Sequence, residues 1–88
     1  MTIKGADTTR LRGLSKTFKA QHTNLDELIR AISKGTLESE DFWKGPRANR
    51  FRDEWDKLKP SLTNFLKSLE NAQKETSDAA DANDRIND

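Results

Sequence analysis

The chain has 88 residues, of which 35% are charged and 32% hydrophobic, and a formal net charge of +1. That length holds a single domain, and so little apolar matter leaves a lone chain marginal as a monomer, so helical chains of this kind complete their core by association. The near-neutral charge supplies no global field for nucleic acid or a membrane surface, and the absence of cysteine excludes disulfides, a thiol nucleophile and any cysteine-based metal site.

Taken in chain order, residues 1–6 read as a disordered start. Met1 to Arg12 contains no apolar run of the signal-peptide kind. No segment approaches the ~20 apolar residues of a membrane span. By these rules the chain is expected to be cytoplasmic unless a dedicated export route reads it. Asp7, Thr8 and Thr9 are N-cap candidates for a first helix over about residues 7–41. Leu11, Phe18, Leu25 and Ile32 recur every seven residues, with Leu14, Gln21 and Leu28 between them and Ile29 broadening the stripe. This is the pattern of a helix with one covered face. Gly13 weakens its first turns by ~1 kcal/mol relative to alanine. Gly35 is expected to be a weak point through which the helix continues, because Ser39 and Phe42 keep the register.

Phe42-Trp43-Lys44-Gly45-Pro46 then punctuates the chain. Glycine adopts backbone conformations closed to other residues. Proline suits the first turn of a helix, where its missing N–H does no harm. Trp43 offers a large apolar face to cover the end of a helix pair. Trp43, Gly45 and Pro46 are therefore the turn motif, over residues 42–46.

A second helix is predicted over about residues 47–80. Ala48, Trp55, Leu62 and Leu69 are seven apart, and Phe51, Leu58, Phe65 and Ala72 interleave. Thr76, Ala79, Asn83 and Ile86 extend the register weakly. Pro60 removes one backbone hydrogen bond but falls opposite the apolar seam, so a kink is expected, with a break and Ser61 as a new N-cap as the alternative. Residues 70–88 carry two basic and six acidic side chains, and residues 77–88 read as an acidic, solvated, fraying tail.

No arrangement of residues promises catalysis. His22, the single histidine, has no neighbours at zinc-ligand spacing and reads as an exposed helical histidine. Glu38, Glu40 and Asp41 read as a solvated helix end. There is no glycine-rich phosphate loop, and the chain is read as non-enzymatic, without metal or cofactor. Lys44, Arg47, Arg50 and Arg52 cluster among Trp43, Phe51 and Trp55, a mixture that nucleic-acid binders use. Phe51 and Trp55, four apart on the apolar seam with Leu58, read instead as core, and Asp53 and Glu54 dilute the charge. The expectation is no nucleic-acid partner.

The physical reading is an all-α, antiparallel two-helix hairpin that dimerises into a four-helix bundle, because one hairpin has no third layer to cover both stripes. Leu11, Leu14, Phe18, Leu25, Leu28, Phe51, Trp55, Leu58, Leu62 and Phe65 are the expected core and dimer interface.

The segment F-W-K-G-P-R-A-N-R-F at 42–51, continuing to Leu62, resembles the WXG family of small bacterial proteins that are substrates and partners of type VII (ESX-type) secretion. Trp43 and Gly45 match the family's Trp-x-Gly, and Ala48, Phe51 and Trp55 match the second-helix positions that follow it. Pro60 is also at home there. The resemblance implies export without a classical signal peptide, as a homodimer or as a heterodimer with a sister protein, by a membrane-embedded secretion ATPase. Family members or their partners often carry Tyr-x-x-x-Asp/Glu after the second helix. This chain has no tyrosine, and Ala80 to Asp84 keeps only the acidic residue, so no export signal is assigned to it. The alternative is a cytoplasmic helical adaptor or chaperone that covers a larger secreted toxin. A small nucleic-acid-binding regulator is the third option.

Overall fold

The computed structural model describes residues 7–87. The disordered start expected for residues 1–6 lies outside the described residues, as do Asp88 and the side chain of Ile86. Two long helices dominate, α1 over Thr8–Glu38 and α2 over Pro46–Asn87, packed against each other along their length. The described chain measures 63 × 16 × 15 Å. At about 1.5 Å per residue, α2 with its 42 residues accounts for the long dimension alone. The fold is the expected all-α antiparallel hairpin.

Each boundary has a local cause. Asp7, in an extended conformation, accepts a hydrogen bond from the Arg10 backbone N–H (3.1 Å), satisfying one of the donors that a helix start leaves open. Helix α1 runs through Gly35 without interruption and tightens at Ser39–Asp41 into a single 3₁₀ turn. Ser39 O then accepts from both Phe42 N and Trp43 N. Gly45 has φ +109°, the positive-φ conformation that glycine permits. Its carbonyl accepts from Asn49 N, with Pro46 as the first residue of α2. Pro60 is exposed within a continuous helix, and Ser61 caps nothing. Helix α2 continues past residue 80 to Asn87, so the acidic end expected to fray is helical as far as it is described.

The seam between the helices differs from the sequence reading in one systematic way. Leu11, Phe18, Leu25 and Ile32 face α2, and Ala48, Trp55, Leu62 and Leu69 face α1, as their spacing predicts. The rows that complete the seam, however, are Ser15, His22, Ile29 and Thr36 on α1 and Arg52, Leu66, Gln73 and Ala80 on α2, all buried or half-buried. Leu14, Leu28, Phe51, Leu58 and Phe65 lie on the solvent side. Phe51 is thus 40% exposed while Trp55, four residues on, is 6% exposed, which corrects the reading of both as core. His22 is half-buried in the seam rather than exposed, and Ala80, not Ala79, continues the register. The cause is rotation. An apolar band three rows wide has a middle row that must face the sister helix and two flanks, and the turn decides which flank joins it.

Candidate functional site

Two features of the hairpin point outward: the turn and one broad face. At the turn, Arg52 reaches back from the second turn of α2. Its guanidinium donates to Ser39 Oγ (2.7 Å) and to the Trp43 carbonyl (2.9 Å), and it lies 6.0 Å from the Trp43 ring centroid. Ser39 Oγ in turn donates a hydrogen bond to Thr36 O at 2.6 Å. The Trp43 ring also meets Phe51 at 5.9 Å, tilted by 42°, an arrangement within the range aromatic pairs favour. Trp43 is thereby held on its backbone and one ring face while 40% of it stays accessible. Sequence reasoning identified Trp43 and Gly45 but placed Arg52 only among the basic residues. The signal that marks it is its half-buried seam position seven residues before Lys59 and four after Ala48.

The broad face is apolar. Leu14, Gln21, Leu28, Gly35 and Phe42 form a heptad row on α1, and Phe51, Leu58, Phe65 and Ala72 form one on α2. Both rows lie on the same side of the hairpin. Leu28 and Phe65 share an open groove of about 560 Å³ with Phe18, Leu25, Leu62 and Leu69. Toward the turn, Gly35, Phe42 and Phe51 share a notch of about 340 Å³ with Ile32 and Trp43. The opposite side is mostly polar: Arg12, Lys16, Lys19 and Ser77 line its cleft toward the open end, and Ser33, Glu40, Asp56 and Lys59 line it near the turn beside the exposed Leu37. Of the ten residues expected at the core and interface, Leu11, Phe18, Leu25, Trp55 and Leu62 sit in the seam, and the other five are on this face.

The open end of the hairpin is closed by polar contacts. Ser15 Oγ donates to Gln73 O (3.0 Å), and Asn83 Nδ2 donates to Thr8 Oγ1 (2.6 Å). Arg12 Nη2 bridges Asp81 (3.1 Å) and Asp84. The hydrogen bond from Arg12 holds the Asp84 carboxyl below its ordinary value, and the bond from Thr8 acts in the same direction. The two aspartates raise Arg12 in turn. Ala80, at the place of the family tyrosine, is fully buried against α1.

Among the described residues no group of histidines and carboxylates is placed to hold a metal ion, and no helix is long and apolar enough to cross a membrane. A helical hairpin, a positive-φ glycine two residues after a tryptophan, and a match over residues 5–84 to the family described as proteins of 100 residues with WXG agree. The chain belongs to the WXG100 family. WXG100 proteins are small, non-enzymatic proteins of type VII secretion, and the match spans nearly all of the hairpin rather than the turn alone. No curated protein and no solved structure matches the chain.

Proposed function

We propose that this WXG100 chain is a non-enzymatic substrate or co-secreted partner of type VII secretion, handled as a folded pair of hairpins. The observation that carries the reading is the one-sided apolar face. Leu14, Leu28, Phe42, Phe51, Leu58 and Phe65 are each between 40% and 76% exposed. Complete burial of such a side chain is worth ~1.5–3 kcal/mol. Covering the accessible half of six of them on each of two subunits yields on the order of 9–18 kcal/mol gross. Association costs of about 4–15 kcal/mol oppose it. The face is therefore large enough to support a four-helix bundle, with the polar face left in water. Pairing with a second copy or with a sister protein both satisfy this reading.

In this scheme Trp43, held by Arg52 at the end of the rod, is the part of the folded pair presented to the secretion ATPase or to the partner's C-terminal end. The folded pair is recognised through its helical ends. The experiment is fractionation of a native culture into cells and medium, with and without the secretion ATPase. Protein in the medium that disappears on loss of the ATPase supports the reading. A second reading is favoured by Ala80, which stands buried where an export tyrosine is expected: a cytoplasmic adaptor whose apolar face covers the helices of a larger secreted toxin. Protein confined to cells in both strains, and co-purifying with a larger chain, selects that reading.

A further inference from the structure

The polar side of the hairpin holds a basic recess near the open end. Arg12, Lys16 and Lys19 are spaced four and three apart, so they stand on one side of α1. Gln73 and Ser77, four apart, face them from α2. With buried Ser15 between the helices, these residues line a cleft of about 250 Å³. Every charged side chain in that lining is a cation. The excess is built into the helix: from Thr8 to Leu25, α1 carries Arg10, Arg12, Lys16 and Lys19 and no carboxylate.

Carboxylates flank this cleft without lining it. Asp81 and Asp84 bind Arg12, Asp78 pairs with Lys74 (3.6 Å) and Asp26 with Arg30 (3.0 Å). Glu75, two residues from both Gln73 and Ser77, points to the other side of α2. Glu70 stands one heptad before Ser77, toward the turn and outside the lining. Lys16 and Lys19 enter no ion pair among the described residues. The Ser15 hydroxyl is committed to Gln73 O, so the Gln73 amide and the Ser77 hydroxyl are the neutral donors beside the two ammonium groups.

We propose that this cleft is a binding site for a phosphate group. Lys16 and Lys19 supply the charge, Ser77 and the Gln73 amide supply neutral hydrogen bonds, and Arg12 forms the wall toward the open end. A phosphate presents acceptor oxygens in several directions, which suits donors converging from two helices, whereas a carboxylate offers two oxygens in one plane. Ammonium groups act on phosphate as point charges and need no fixed fork geometry. The cleft lies on the side away from Leu28 and Phe65, so it stays open whatever covers the apolar face. It therefore stands or falls independently of the secretion reading.

The test is a titration of the full nitrogen-15-labelled chain with inorganic pyrophosphate at neutral pH and low salt, read by amide chemical shifts. Saturable shifts are expected at residues 12–19 and 73–77. Lys16→Gln and Lys19→Gln should each raise the dissociation constant about fivefold or more, the effect of removing one unit charge ~4 Å from an anion in water. The double variant should lose more than either. Lys34→Gln, exposed on the same helix near the turn, should bind as wild type, and circular dichroism should show unchanged helix content in every variant. Sedimentation with phosphatidylcholine vesicles containing phosphatidic acid separates the two sources of phosphate. Co-sedimentation that the double variant loses assigns the site to a lipid headgroup; pyrophosphate binding without co-sedimentation assigns it to a soluble phosphate compound. Shifts reproduced by sodium chloride at equal ionic strength would reduce the effect to screening and overturn the site. So would binding that survives the double variant, or tighter binding of polyglutamate than of pyrophosphate, which would make the cleft a dock for an acidic chain.

Discussion

The two ends of the hairpin are held together by different chemistry. Toward the turn the seam is apolar and closely packed, with Ile29, Ala48 and Trp55 buried and Arg52 bonded to Ser39 and Trp43. Toward the open end Leu11 and Phe18 stay in the seam with Leu69 and Ala80 buried opposite, but Ser15, Gln73, Thr76 and Asn83 share it, and the Arg12 bridge to Asp81 and Asp84 lies at its edge. Apolar burial is non-directional and water does not compete for it. Exposed ion pairs and neutral hydrogen bonds contribute about 0–1.5 kcal/mol each, because water competes for both partners. The contrast predicts a stiff turn half and an open half that separates first, with a gradient of local stability along one continuous fold.

The strongest way to break this contrast is Trp55→Ala. It removes the largest buried side chain of the turn half, and a loss of about 3–5 kcal/mol is expected, visible in thermal unfolding by circular dichroism as a large fall in midpoint across the whole hairpin. A shift no larger than that of an open-end variant would mean that the turn half does not dominate. Next in size is Gly45→Ala. A Cβ meets nothing within 4 Å there, so the penalty is the positive φ alone, about 1–2 kcal/mol, and it should appear in global denaturant unfolding. Ser15→Ala, which removes the donor to Gln73 O, is expected to cost about 0.5–1.5 kcal/mol. Its signature is faster amide hydrogen exchange near residues 73–80 with little change around Trp55.

The smallest effect belongs to Arg12→Ala, and it is conditional. Asp84 is depressed in the folded state by the Arg12 hydrogen bond, so its contribution is complete above the ordinary carboxyl value near 3.8. It is lost as pH falls through the lower folded value. Wild-type protein should therefore show faster exchange at the open end, once corrected for the fall of the intrinsic amide rate with pH, as pH drops through that window or as salt rises. Arg12→Ala should show that exchange already at neutral pH, with little further response. Equal pH dependence in both proteins would show that the bridge does not hold the open end.

Much of this was legible in the residues. Asp7 as a cap, Gly45 and Pro46 as a turn and helix start, and the seam rows beginning at Leu11 and Ala48 follow from local chemistry and from a seven-residue period. Membership of the WXG100 family was legible from Trp43, Gly45, Ala48, Phe51 and Trp55. The reading did not separate the seam within the hairpin from the flank outside it. Leu14, Leu28, Phe51, Leu58 and Phe65 were placed beside the seam because they are apolar, while Ser15, His22, Arg52 and Gln73, which complete it, are polar. Periodicity finds a stripe but does not say whether a flanking row is covered by the same chain or by another. The contacts of Ser15, Asn83 and Arg12 escaped notice for a related reason, since their partners lie 58 to 75 positions away in the sequence.

The sequence by itself therefore determined the elements, the turn and the family, because caps, positive-φ glycine and helical period act over a few residues. Only the tertiary structure decided how the two helices are rotated about their axes. That rotation is set jointly by the Gly45 backbone, the Arg52 clamp and the close approach at the fully buried Ala48 and Ala80. It turns polar Ser15 and Gln73 inward and apolar Phe51 and Phe65 outward, and so creates the face on which the proposed pairing depends.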